Sequence, residues 1–158
     1  MTATVEAVAR PATKGIAPFP HHYELSVTAT AEGQGSIHAG QRPEIVGGPP
    51  SQFGGRDDWW SPEHLLLGAV SLCLLTTFRA LADARGVSVI GYSSLVKGIL
   101  DRTAEGPAFT SIVLDVGLTV PEAQKERAVE LLERAKRLCI VSHALKPPVD
   151  LRVTVAEG

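Results

Sequence analysis

The stretch SPEHLLLGAVSLCLLTTFRALADARG, residues 61–86, decides the fold. Its start reads as a helix N-terminus. Ser61 is suited to accept from the free N–H groups of the first turn, Pro62 stands where a missing N–H costs nothing, and Glu63 meets the positive end of the dipole. From Leu65 to Phe78 nearly every residue is apolar, small or Thr, with no charge before Arg79, and Gly86 supplies the stop. The stretch predicts one long buried helix with Cys73 in its middle, covered on most sides by protein. A membrane span is the competing explanation. The uncharged run falls short of the ~18–20 residues a span needs, and Arg79, Asp83 and Arg85 follow at once.

The chain around this helix has 158 residues, a formal net charge of -2 and 5% aromatic residues, with charges of both signs. That length suits one domain with a real core, near the size where a partner subunit adds much of the burial. Without a basic field or a set of stacking rings, nucleic-acid binding is not expected. The opening MTATVEAVARPATKGIAPFP lacks the basic-then-apolar pattern of a secretory leader, which predicts a cytoplasmic protein with no membrane attachment. Residues 1–20, rich in Ala, Thr and Pro, read as a flexible arm, and residues 21–158 as a single domain.

Alternation from Tyr23 to Thr30 predicts a half-buried strand, with Tyr23, Leu25, Val27 and Ala29 on its inner face. Ser36–Ala39 and Glu44–Val46 are shorter strand candidates, and GGPPSQFGGRDD, residues 47–58, is a loop leading into the helix. Val87–Asp101 and Phe109–Val120 predict an antiparallel hairpin, the second strand with Ile112, Leu114, Val116, Leu118 and Val120 facing one way. Pro121 opens an amphipathic helix whose apolar stripe is Ala128, Leu131, Leu132, Ala135 and Leu138. Cys139 follows, Ser142 is a candidate cap for a further short turn, and Val149 to Val155 is a last alternating strand. The order predicts an α+β fold with largely antiparallel pairing.

Cys73 is the first candidate for chemistry, although a lone helical Cys is commonly a small inert hydrophobe. Lying mid-helix, it cannot borrow the N-terminal dipole, so a thiolate there requires a cation from elsewhere. Arg56, in the glycine-flanked loop before the helix, is the first choice, ahead of Arg42, Arg79 and Arg85, and Glu63 is placed to fix it by a bidentate pair. Cys139 gains meaning beside Cys73, because a sulfenic acid formed on one thiol is converted by a nearby second thiol to a disulfide. The five histidines are scattered, so no metal site is expected, and no phosphate loop, H-E-x-x-H or G-x-S-x-G motif occurs.

Ser61-Pro62-Glu63, followed ten residues later by Cys73 in an apolar helix, and Cys139-Ile140-Val141-Ser142 after an amphipathic helix resemble the OsmC/Ohr family of osmotically inducible and organic hydroperoxide resistance proteins. The resemblance covers roughly residues 23–155. It implies an intertwined α+β homodimer with two long central helices wrapped by β-sheets, and it lets Gly68 serve close helix approach. It also implies a cofactor-free thiol peroxidase acting on organic hydroperoxides. Cys73 would then be the peroxidatic thiolate, Cys139 the resolving thiol, and Glu63 the carboxylate that positions an arginine, Arg56. The reductant would be a dithiol such as a lipoylated protein. Leu72, Leu74 and Phe78 around the sulfur, with Phe53, Trp59 and Trp60 from the loop, would favour apolar alkyl hydroperoxides. Two alternatives stand beside this reading: a non-enzymatic protein binding an apolar ligand at the dimer interface, and a thiol redox sensor.

Overall fold

In the computed structural model, which describes residues 15–158, the long helix α1 runs Pro62–Ala84 and both its ends form as their residues predict. The Ser61 hydroxyl accepts from the His64 N–H at 3.3 Å, and Pro62 takes the first helical position. At the other end Gly86 turns with φ of 68°, Val87 N–H donates to the Ala82 carbonyl at 2.9 Å and Gly86 N–H to that of Asp83 at 3.3 Å. This paired closure is the Schellman arrangement, which needs a left-handed residue and so favours glycine.

The burial of α1 differs from the expectation. Only Val70, Leu74, Phe78 and Ala82, four residues apart and therefore on one face, are buried. The opposite face, with Gly68, Ala69, Leu72, Thr76 and Ala80, is open within the single chain. Length does not exclude a membrane span either, because the 23-residue helix is long and apolar enough for one by length and composition. Its buried face is nonetheless committed to an α+β core.

That core lies against a sheet of three strands, β4 (Gly91–Thr103), β5 (Gly106–Val120) and β6 (Val149–Glu157), in the order β4-β5-β6. β4 and β5 form the antiparallel hairpin, with Ala104 and Glu105 at its tip and a register irregularity at Ile99/Leu100. The alternating face of β5, Ile112, Leu114, Val116, Leu118 and Val120, is buried as its period requires. β6 runs parallel to β5, since the chain returns through a helix on the sheet face. That helix, α2, spans Lys125–Leu138 after a 3-10 turn at Glu122–Gln124, so the α-helix begins later than Pro121. Ala128, Leu131, Leu132 and Ala135 are buried, whereas Leu138, in the last turn, is exposed.

A second antiparallel sheet, β1 (Ser26–Ala29), β2 (Gly35–His38) and β3 (Ile45–Gly47), is attached near the start of α1 by a bridge between Gly47 and Trp60. Here the half-buried first strand is corrected: β1 is shorter than expected and every residue in it is exposed, Val27 by 60%. Its apolar face meets a cavity instead of the chain's own core. Of the expected N-terminal arm, residues 1–14 lie outside the described residues, and Ile16 and Phe19 are exposed.

Candidate active site

Cys139 ends α2 and, with an extended backbone, begins the one-turn helix α3, Ile140–His143. This sharp junction folds α3 back against α1 and delivers Cys139 beside Cys73. Both cysteines are free thiols; Cys73 is half-buried and Cys139 only 1% exposed. Burial pushes the Cys139 thiol above its ordinary value; the Ser142 hydroxyl and N–H oppose the shift, and the hydrogen bond and charge of Cys73 add to it.

Ser142 is the residue missed as a functional group. The cap of the short turn is Cys139 itself, not Ser142: its sulfur accepts from the Ser142 N–H at 3.5 Å and from the Ser142 hydroxyl at 3.1 Å. A Ser three residues after a Cys at a helix junction has N-cap spacing, which was the available signal.

Glu63 lies in the first turn of α1 with Oε2 buried and without a hydrogen-bond partner. The expected pair with Arg56 is not formed. Arg56 binds Asp58 instead, Nε to Oδ1 at 2.8 Å and Nη2 to Oδ2 at 2.6 Å, and lies over the Trp59 ring, 5.4 Å from its centre. The competitor is local: a carboxylate two residues along the same exposed loop is reached without ordering any distant segment. The other candidates also have different places. Arg42 donates to the Ala39 carbonyl at 3.1 Å and Arg79 to the Val89 carbonyl at 3.3 Å, while Arg85 lines a charged groove beside α2.

Two cavities flank Glu63. One, of about 580 Å³, is mostly apolar and lined by Val27, Ile37, Phe53, Trp60, Glu63 and Leu65 among others. The second, of about 330 Å³, lies between Phe53, Glu63, His64, Leu67 and Phe109. Phe53 and Trp60 are walls of cavities whose linings include Glu63 but neither Cys73 nor Cys139. Trp59 packs on the backbone of Gly48, where a Cβ would meet its ring, and lines a separate cavity with Pro49 and Arg56. Leu74 and Phe78 are fully buried core residues and offer no surface to a ligand, while Leu72 lies on the open face of α1. Among the described residues no group of three or more His, Cys, Asp or Glu is placed to hold a metal ion.

A half-exposed thiol beside a buried one, on separate elements, is the arrangement that allows one sulfur to be oxidised and the other to resolve it. The family model described as OsmC-like protein matches residues 55–154, a span holding both thiols, Glu63 and α1. The chain belongs to the OsmC-like protein family. Relatives in sequence include the organic hydroperoxide resistance proteins of Xanthomonas axonopodis pv. citri and Xanthomonas campestris pv. phaseoli, each 23% identical over 85% of this chain and 94% of the relative. Among solved structures, an OsmC-like protein of unknown function from Vibrio cholerae superposes with a TM-score of 0.76 at 16% identity, covering 85% of this chain and 100% of that one. An organic hydroperoxide resistance protein from Elizabethkingia anophelis gives 0.68 at 20% identity, covering 89% and 100%. The α+β fold is therefore that of OsmC-like proteins.

Proposed function

We propose that this OsmC-like protein is a cysteine-based peroxidase that reduces organic hydroperoxides. The observation that carries the reading is the packing of α3, headed by Cys139, against α1, close enough for the Cys73 thiol to perturb that of Cys139. Cys73, the more exposed, attacks the peroxide oxygen and becomes a sulfenic acid as the alcohol leaves; Cys139 attacks that sulfur, giving a disulfide and water. A dithiol, such as that of a lipoylated protein, returns the disulfide to thiols. The apolar cavity beside Phe53 and Trp60 supports an alkyl rather than a fully polar peroxide. The distant relatives named for organic hydroperoxide resistance support the same substrate class.

The working form is a homodimer in the cytoplasm. The open face of α1, small or apolar from Gly68 to Ala80, is the surface a second copy would cover, and no Cβ at Gly68 would meet anything within 4 Å in the single chain. The unpartnered Glu63 oxygen is where a guanidinium from that copy would dock. Steady-state consumption of cumene hydroperoxide with dihydrolipoamide as reductant tests the reading. Turnover that vanishes in Cys73→Ser supports it, and turnover unchanged in that variant refutes it.

A second reading, non-enzymatic binding of an apolar ligand, is favoured by the size and apolar lining of the same cavity. Tight capture of a fatty-acyl probe by protein with no peroxide turnover would establish it.

A further inference from the structure

We infer that Ser142 is a positioning residue for Cys139: its hydroxyl and N–H hold the sulfur and carry the negative charge that the sulfur takes on when it attacks oxidised Cys73. The inference rests on the two-thiol reading of the site but concerns one step of it. Cys139 is almost wholly removed from water, so a thiolate there has only the protein to stabilise it. The hydroxyl at 3.1 Å and the N–H at 3.5 Å both come from Ser142 and both point at the sulfur. Donors fixed on the atom where charge develops need no rearrangement when it appears.

The order of events follows from the neighbours. Before oxidation, burial first, and then the hydrogen bond and charge of Cys73, keep the proton on Cys139. After Cys73 has given two electrons to the peroxide it is a neutral sulfenic acid, and the part of that opposition due to its charge is gone. Cys139 then loses its proton, its sulfur bonds to the Cys73 sulfur, and the departing hydroxide takes up the proton as water. The Ser142 donors remain throughout, so they act most on this second step.

The step is separable from peroxide chemistry. Reduced full-length protein mixed with dithiobis(nitrobenzoate) releases one thionitrobenzoate as Cys73 forms a mixed disulfide. A second is released when Cys139 displaces it to form the internal disulfide. In Ser142→Ala the second release is expected to slow roughly tenfold or more at neutral pH, the scale of a hydrogen bond to a charged group, and its pH profile to move to the alkaline side. Ser142→Thr, which keeps a hydroxyl at the same place, is expected to restore both. A Ser142→Ala protein with wild-type second release and pH profile, or a Ser142→Thr protein as slow and as shifted as Ala, would overturn the inference. The same proteins mixed with cumene hydroperoxide test the peroxidase reading separately. Failure of wild type to react with the peroxide removes that reading, while the thionitrobenzoate rates still decide the role of Ser142.

Discussion

Arg56 grips Asp58 through two parallel hydrogen bonds, and this leaves the Glu63 carboxylate without it. Both partners are exposed, so solvent and salt weaken the pair. Arg56→Ala is expected to keep the rate of Cys73 oxidation by cumene hydroperoxide within about twofold of wild type, the small effect expected of an exposed pair. A loss of a hundredfold or more in a stopped-flow comparison would mean that the guanidinium leaves Asp58 for the sulfur.

The ends of α1 are held by single residues whose removal has a defined cost. Ser61 is fully buried, accepts from His64 N–H and also bonds His64 Nδ1 at 2.8 Å. Ser61→Ala is expected to destabilise by about 1–2 kcal/mol. Gly86→Ala, at a φ of 68°, is expected to cost about 1 kcal/mol. Urea unfolding of the two variants checks both values; unchanged midpoints would contradict the capping account.

Leu72 is 60% exposed in the middle of the open face of α1, beside Gly68, Ala69 and Thr76. If a second copy covers this face, a carboxylate there is buried without a partner. Wild type is expected to sediment as a dimer and Leu72→Asp as a monomer. A wild-type monomer at micromolar concentration, or an unaffected Leu72→Asp dimer, would contradict the assignment of this face.

Burial holds the Cys139 thiol above its ordinary 9.0, so the folded chain keeps that proton to higher pH than the unfolded chain does. The stabilisation from this group is present in full below pH about 9 and is lost as pH rises through the raised folded value. Urea unfolding of wild type and Cys139→Ala should show wild type losing stability relative to the variant as pH climbs above about 9. A stability difference that is flat across that range would show the thiol to be as acidic in the folded chain as in the unfolded one.

Local rules made α1, the β4–β5 hairpin and the buried faces of β5 and α2 legible in the sequence. Ser61, Pro62 and Gly86 are caps that act within a turn of themselves, and the alternation from Ile112 to Val120 needs only a core on one side. The period of residues 23–30 was equally visible, but a period states which face is apolar and not what covers it; Val27 faces a cavity. The same distinction explains α1, whose apolar run is wider than the face its own chain buries. Within the site, the two thiols were legible as a pair through family resemblance, since nothing local links residues 66 positions apart (139 − 73). The sequence offers Glu63 as the partner of Arg56, but Asp58, two residues away, needs no tertiary structure to reach it.

The central claim is that Cys73 is a peroxide-reactive thiol resolved by Cys139. It is tested most directly by mixing reduced protein with one equivalent of cumene hydroperoxide in a stopped-flow instrument, followed by mass mapping of the product. The account predicts oxidation far faster than that of a free thiol, faster than with hydrogen peroxide, abolished in Cys73→Ser, and ending in a Cys73–Cys139 disulfide. Oxidation no faster than a free thiol, or a product without that disulfide, would contradict it.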